Sequence, residues 1–548
     1  MITDCPSIAA VIVFAGGLIG LGVSETPVQA QNSEKYGGSV SYAENEPTTT
    51  LNPYQRSEDR GVSDRLYTLI YDGLVSYDYI NSEVIPALAE DWSPKGDVAT
   101  RRITFELRDG VKWHDGSSLI PKDIEFTYRY AMKAGSDDET RKEFQNISSV
   151  DTDIEKNEVI FKFEKDVVNP AKRVFANRWI IPSHRFDEEF LPKEPKLRND
   201  PVGTGPYAYE DKDLNGNIEL KTFSEYWGGT EPEGRPYIDE TQMKVFQDPT
   251  TVVPQTMGGN VDLIVETPHS QIGRLEDVPR VRLESYRSLS FDGFAYDTEH
   301  PVLKNVDVRR ALTHAVDREK MLSSWYAGKG RVIGGPVVPG SAYYNPEVEP
   351  LSYDPDRARK LLKQEGFEDR DGDGVREVPD GNAELRFRLV TLIGEAASST
   401  TKQDVAESYS DYLRDVGIRV EVDNKVKSEY LKAIFDTRNF DIAWIRWEFD
   451  PNYAFHTLFE TGHEDNIAEY KNTKVDTLIS RLRRAEDAQR RRGLAESAQK
   501  IISREVPYTF LYTVKNYASL NRKIVAPKID PYYFFSYYDN WYVNPSLR

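Results

Sequence analysis

Apolar and polar residues alternate strictly along one stretch near the start of the chain. Ile103, Phe105 and Leu107 alternate with Thr104, Glu106 and Arg108, the period of a strand with one face buried. Asp109-Gly110 then gives a two-residue hairpin turn signal, because glycine accepts the positive φ of a tight turn. Val111–His114 is the return strand, closing at Asp115-Gly116. Pro121 suits the first turn of a helix, with Ile124, Tyr128 and Ala131 on its buried side. A lone hairpin is marginally stable, so this one must pack on something larger.

Further along, Gly38–Leu51 reads as a strand and loop, and Leu66–Val75 as a helix ending in a turn. Ile218–Phe223, Ile238–Phe246, Val261–Val265 and Ser288–Tyr296 are apolar runs of strand length, with a short helix over Thr251–Met257. Val308, Leu312 and Ala315 recur at helical spacing. Ala358, Leu361 and Leu362 mark a helix with a proline-bearing start and a stop at Gly366. Leu385–Leu392, Thr400–Val416 and Ile418–Val422 then read as strand, helix, strand. That alternation implies a sheet covered by helices. Two amphipathic helices follow, one through Val475, Ile479 and Leu482, the other through Leu494, Ala498 and Ile502.

At 548 residues the chain is too long for one core and predicts at least two domains. Its 39% hydrophobic content and 32 tyrosines fit a globular protein. A net charge of -20 argues against nucleic acid and anionic membrane surfaces as partners. The N-terminus reads as an export signal over 1–30. Its apolar run, Ile8–Val23, is shorter than the ~20 residues of a membrane span, and Val28-Gln29-Ala30 offers small residues before a cut ahead of Gln31. The leading Met1–Cys5 segment lacks Lys and Arg, so a misplaced start or an uncleaved membrane anchor stays the alternative. Cys5 precedes the apolar run, where a lipid-bearing cysteine would follow it. The mature chain then has no cysteine, which excludes disulfides and thiol catalysis. No GxSxG elbow, Walker loop, dinucleotide fingerprint or zinc signature is present, so an enzyme, a secreted hydrolase included, has no motif to rest on.

Several motifs carry a resemblance. Pro86-Ala-Leu-Ala-Glu90, Trp92, then Phe105-x-Leu107-Arg108-x-Gly110-Val-Lys-Trp-His-Asp-Gly116 and Asp123-Ile124 form one long signature. Pro201-Val-Gly-Thr-Gly-Pro-Tyr207, Tyr226-Trp-Gly-Gly229 and the helix Asp307–Arg318 form others. Together they resemble the family 5 solute-binding proteins, the extracytoplasmic receptors of ABC importers for peptides and nickel. The resemblance implies an α/β, two-lobed periplasmic binding protein-like fold (type II, cluster C) with an extra accessory domain in lobe 1. It divides the chain into a signal peptide (1–30), lobe 1 (31–68, 205–290 and 515–548), the accessory domain (69–204) and lobe 2 (291–514). The implied partners are a captured solute and the permease subunits of a transporter, with the receptor itself a monomer. A peptide is the favoured solute; a glycoside, another small organic molecule or a nickel chelate are the alternatives.

The resemblance also implies a site. Glu44 and Glu46 follow the family's opening strand, whose end borders the cleft, and are candidates for a ligand's cation; solvated loop carboxylates are the plain alternative. Phe440–Tyr453 is similar to the strand-to-loop segment whose acid takes a peptide's α-ammonium. Glu448 or Asp450 fills that role, with Trp447 as a stacking wall and Tyr453 beside it; Asp450 capping the turn before Pro451 is the alternative. Where dipeptide-selective relatives carry an arginine, Thr391-Leu-Ile-Gly394 stands, which argues against dipeptide selectivity. Separately, Asp369, Asp371, Asp373 and Asp380 with Gly374 have the carboxylate spacing of a calcium loop. Arg376 breaks that pattern and no amphipathic helix follows, so an Asp/Gly surface turn competes with a structural Ca2+ there. No other cofactor is expected.

Overall fold

The structure is a computed structural model. It describes residues 34–548 except 49, 55–59, 79–82, 97, 134–140, 142–143, 188–199, 230–233, 247, 287–288, 380, 394–399, 450–454, 486 and 531–533. The expected signal segment lies outside the described residues. Among those described, no helix is long and apolar enough to cross a membrane.

In chain order, β1 (Ser39–Glu44) and α1 (Arg60–Ile70) lead into four strands, β2 (Ala89–Ser93), β3 (Ala99–Leu107), β4 (Ile147–Asp153) and β5 (Glu158–Val168), with α2 (Pro121–Ala131) packed among them. Next come β6 (Tyr207–Lys212), β7 (Ile218–Thr222), β8 (Glu240–Val245), β9 (Leu263–Ile264) and β10 (Val281–Tyr286). A second region holds β11 (Ser290–Tyr296), α3 (Val306–His314), α4 (Arg318–Tyr326), β12 (Gly330–Val332), β13 (Arg386–Leu392), α5 (Thr400–Arg414), β14 (Arg419–Lys425), β15 (Ile442–Glu448) and β16 (Tyr508–Val514). The chain returns to the first region with β17 (Asn516–Asn521).

Two large sheets result. The first has the order β10-β17-β9-β1-β8-β7-β6, the second β12-β16-β11-β15-β13-β14. The chain passes between them twice, between Tyr286 and Ser290 and at Lys515. Each sheet has its own cores. Val40 and Tyr42 pack on one face of the first and Val253 and Leu275 on the other, whereas Phe294 with Leu389 and Phe291 with Phe459 cover the two faces of the second. Two separately cored bodies joined by two chain crossings make a two-lobed molecule. The four-stranded sheet β2-β3-β5-β4 shares the core of the first lobe, so it is built onto that lobe.

The alternation at 103–107 does form a strand, but not the expected hairpin. β3 pairs with β2 on one side and β5 on the other, and Lys112 makes only an isolated bridge, to Ser118. Packing explains the choice. Phe105 lies 5.9 Å edge-on to Phe161 of β5 and 5.0 Å from Phe175 just beyond that strand, more apolar contact than the short run 111–114 can offer. Trp113 instead sinks into the core and donates its indole N–H to Asp123 at 3.2 Å.

Three glycine- and tryptophan-bearing motifs meet at one seam. A Cβ on Gly203 would lie 1.7 Å from the carbonyl oxygen of Ile70, so only glycine fits there. The end of α1 hands on to Asp72, which accepts the Trp227 indole N–H at 2.7 Å and the Thr204 hydroxyl at 3.1 Å. His114 closes the seam. Its Nδ1 accepts from the Gly203 N–H at 3.2 Å and its Nε2 donates to the Gly205 carbonyl at 2.9 Å. Burial holds this imidazole neutral, pushing it down to about 4.

The helix motif at 307–318 is equally structural. Arg309 and Arg318 are buried and donate to main-chain carbonyls, Arg309 to Leu303 at 2.7 Å and Arg318 to Phe510 at 2.9 Å. Asp317 caps α4 by accepting from the Lys320 N–H at 2.9 Å.

Candidate functional site

β1 runs parallel to both β8 and β9, and β15 runs parallel to β13. In open α/β sheets ligands collect beyond the carboxyl ends of such strands, where main-chain groups and loops are free to face them. Here those ends border a cleft of about 230 Å³ between the lobes. Lobe 1 lines it with Glu44, Arg65, Glu266 and His269, and lobe 2 with Tyr326, Lys402 and Arg446.

Most of this charge is paired within the protein. Glu44 is almost wholly buried and accepts from Arg65 in a two-pronged pair, Nε to Oε1 at 2.6 Å and Nη2 to Oε2 at 2.5 Å. Burial pushes the Glu44 carboxyl up and Arg65 draws it back. Asp292 and Arg446 face each other in the register of β11 and β15. There Arg446 donates to Asp292 from Nε at 2.6 Å and from Nη2 at 3.1 Å, and the Tyr326 hydroxyl adds a third bond at 3.1 Å. A single acid inside an otherwise apolar strand requires such a partner.

Glu266 and Glu448 stand apart: among the described residues neither carboxylate meets a hydrogen-bond or ion-pair partner. Glu448 is exposed at the end of β15. Burial first and the charge of Glu266 second push its carboxyl up, while Arg446 and Arg65 pull it down. Lys402, in the first turn of α5, is crowded; burial and Arg446 push its ammonium down.

The structure thus separates the residues singled out in the sequence. Glu44 lines the cleft but is occupied by Arg65. Glu46 is exposed and is not among the lining residues. Glu448 follows Arg446 by two residues on β15 and shares its face, because side chains on a strand alternate. Trp447 therefore points the other way and packs on Phe435, ring centres 6.1 Å apart. It is half-buried and packs against the core of lobe 2. Asp450 and Tyr453 lie outside the described residues. Arg65, Glu266, Asp292, Lys402 and Arg446 were not evident beforehand; Glu266 had a signal in its place just past an apolar strand run, and Asp292 in its isolation.

The acidic turn lies elsewhere. Asp369, Asp371, Asp373 and Glu377 bring carboxylate oxygens within 4.8 Å of one another, with Glu377 in the set, while Asp380 lies outside the described residues. The loop's own amides already engage these acids: Gly372 and Gly374 donate to Asp369 at 2.7 and 3.1 Å, Val375 to Asp373 at 2.8 Å. Those bonds account for the turn's shape.

Residues 83–468 match the sequence profile described as bacterial extracellular solute-binding proteins, family 5 Middle. The chain is 25% identical over 436 residues to the oligopeptide-binding protein AppA of Bacillus subtilis strain 168, covering 78% of each. It is 23% identical to the dipeptide-binding protein of Escherichia coli K12, over 84% of this chain and 87% of that one. Among solved structures, AppA from B. subtilis in complex with a nonapeptide superposes with a TM-score of 0.75 at 23% identity, covering 93% of this chain and 99% of that one. NikA from Brucella suis in complex with Fe(III)-EDTA gives 0.80 at 22% identity, covering 92% and 100%. These likenesses place the fold among two-lobed binding proteins.

Proposed function

Since the chain belongs to the family 5 bacterial extracellular solute-binding proteins, a family of receptors, we propose that it captures a peptide between its lobes outside the cytoplasm and delivers it intact to an ABC permease. The carrying observation is the cleft itself. Both lobes turn the carboxyl ends of parallel strands toward it, and Glu448 closes β15 two residues beyond the lining Arg446, without a hydrogen-bond or ion-pair partner among the described residues. A carboxylate at the edge of a closing gap attracts an ammonium more strongly as water leaves. Free strand ends can also bond a peptide's amides whatever its side chains, which gives affinity without strict sequence choice. The oligopeptide- and dipeptide-binding names of its relatives support the same reading. Closure on the solute then presents both lobes to the permease, and no bond is made or broken.

A thermal-shift screen of the purified protein against peptide pools, sugars and Ni2+ tests this. Peptides are expected to raise the unfolding midpoint, since a ligand at 100 times its Kd adds ~2.7 kcal/mol. A rise with sugars or Ni2+ and none with peptides would refute the peptide assignment.

A further inference from the structure

A second cavity, of about 290 Å³, lies apart from the interlobe cleft and shares no lining residue with it. Its walls belong to lobe 1 and the sheet built onto it, with none from lobe 2. Aromatic rings make up much of the lining, Trp179, Tyr226, Trp227 and Tyr537 among them, and two carboxylates join them, Asp72 from the turn after α1 and Asp539 from the C-terminal segment. The protein leaves both carboxylates short of partners. Asp72 takes the Trp227 indole N–H and the Thr204 hydroxyl on the same oxygen, Oδ2, so its Oδ1 meets no donor among the described residues. Asp539 is met only by amides of its own turn, at Asp539 and Asn540. Neither forms an ion pair among the described residues. The Tyr226 hydroxyl feels both charges and has no hydrogen-bond partner among those residues either. The nearby cations are engaged elsewhere. Arg108 stacks on the Trp227 ring at 4.8 Å and donates from Nε to the Ala87 carbonyl at 2.6 Å. The Lys528 ammonium stands 5.0 Å from the centre of the Tyr537 ring, whose hydroxyl meets Asp78.

Burial pushes both carboxyls up to about 6, and at Asp539 the charge of Asp72 adds to the rise. Above that pH the cavity holds two negative charges without a cation, a costly state unless an opposite charge enters. A divalent metal ion asks for about six oxygen ligands, more than two carboxylates and a wall of rings present. An organic ammonium suits both halves of the lining. Its N–H donors serve the carboxylates, and its charge and apolar body are drawn to the ring faces. We propose that this cavity is a second ligand site, which seats a small organic ammonium ion with its charged end on Asp72 and Asp539 and its body against Tyr226 and Trp227. The site is separate from the solute held between the lobes. Asp72 serves it through Oδ1, while Oδ2 keeps the seam closed.

The test is isothermal titration calorimetry of the purified protein with 2-phenylethylammonium as the probe, its neutral analogue 2-phenylethanol, and Ca2+. At pH 8 the ammonium is expected to bind, and the alcohol at least about tenfold more weakly, the scale of a charged hydrogen bond. Affinity should fall as pH drops through about 6, where both carboxylates take up protons. Asp539→Asn and Asp72→Asn keep the shape of the lining, and each is expected to weaken the ammonium at least about tenfold. Should either variant fail to fold, the alcohol and the pH profile on wild type still decide the matter. An ammonium held by a folded variant as tightly as by wild type would overturn the site. So would equal affinity for the alcohol, an affinity indifferent to pH, or heat from Ca2+ with none from the ammonium. Each of those results would leave the peptide reading standing, because the cavity lies outside the cleft.

Discussion

Glu44 shows how little a residue's type says about its job. As a carboxylate at the end of a strand bordering the cleft it looks like a receptor for a cation, and it does line that cleft. Yet its charge is answered by Arg65, with only 3% of the Glu44 side chain exposed. Removing one partner of so buried a pair leaves an uncompensated charge, which costs about 3–5 kcal/mol. Glu44→Ala is therefore expected to lower the stability of the empty protein by that order in chemical denaturation, and the double variant Glu44→Ala/Arg65→Met to recover most of it. A single variant as stable as wild type but poorer in ligand binding would return Glu44 to the role of direct acceptor. The partnership was illegible beforehand because Arg65 sits 21 positions away on a different element. Period-two alternation, by contrast, sufficed to tell Glu448 from Trp447 once one lining neighbour was known.

Among the elements, spacing located strands and helices well but misjudged partnership. The strand at 103–107 and the turn at Asp109-Gly110 are both present, with Gly110 at a φ of +74°. The hairpin failed because the choice between two neighbours is made by packing area, which a local pattern does not contain. The converse holds at the seam around Asp72, where two motifs far apart in the chain converge on one carboxylate through Thr204 and Trp227. Burial pushes that carboxyl from 3.8 up to about 6. A raised value means the folded state holds a proton that the unfolded chain has already lost. The contribution of Asp72 is thus fullest below pH 3.8 and declines as pH rises to about 6. Asp72→Asn keeps an acceptor for Trp227 and Thr204 without the charge, so its stability relative to wild type is expected to improve from pH 4 to 6 and level off above. Asp72→Ala, lacking the acceptor, should follow the same pH trend but stay about 1–3 kcal/mol less stable than Asp72→Asn at every pH. A flat difference between wild type and the asparagine variant would show the carboxylate to be ionised throughout.

At the scale of the whole molecule, the two sheets hold separate cores, the chain passing between them at 287–289 and at Lys515, and side chains touch across the gap, Lys329 to Glu276 at 3.2 Å and His269 against Tyr326 at 5.1 Å. The two-lobed plan was legible from length and from the resemblance carried by the motifs. The cleft's charge pattern was not, since it arises only when strands far apart in the chain bring their ends together. The most direct measurement is small-angle X-ray scattering of the purified protein during titration with a peptide that it binds. The radius of gyration is expected to fall saturably with bound peptide, with the peptide recovered uncut; a radius unchanged at full occupancy, or a peptide returned as fragments, would contradict the account.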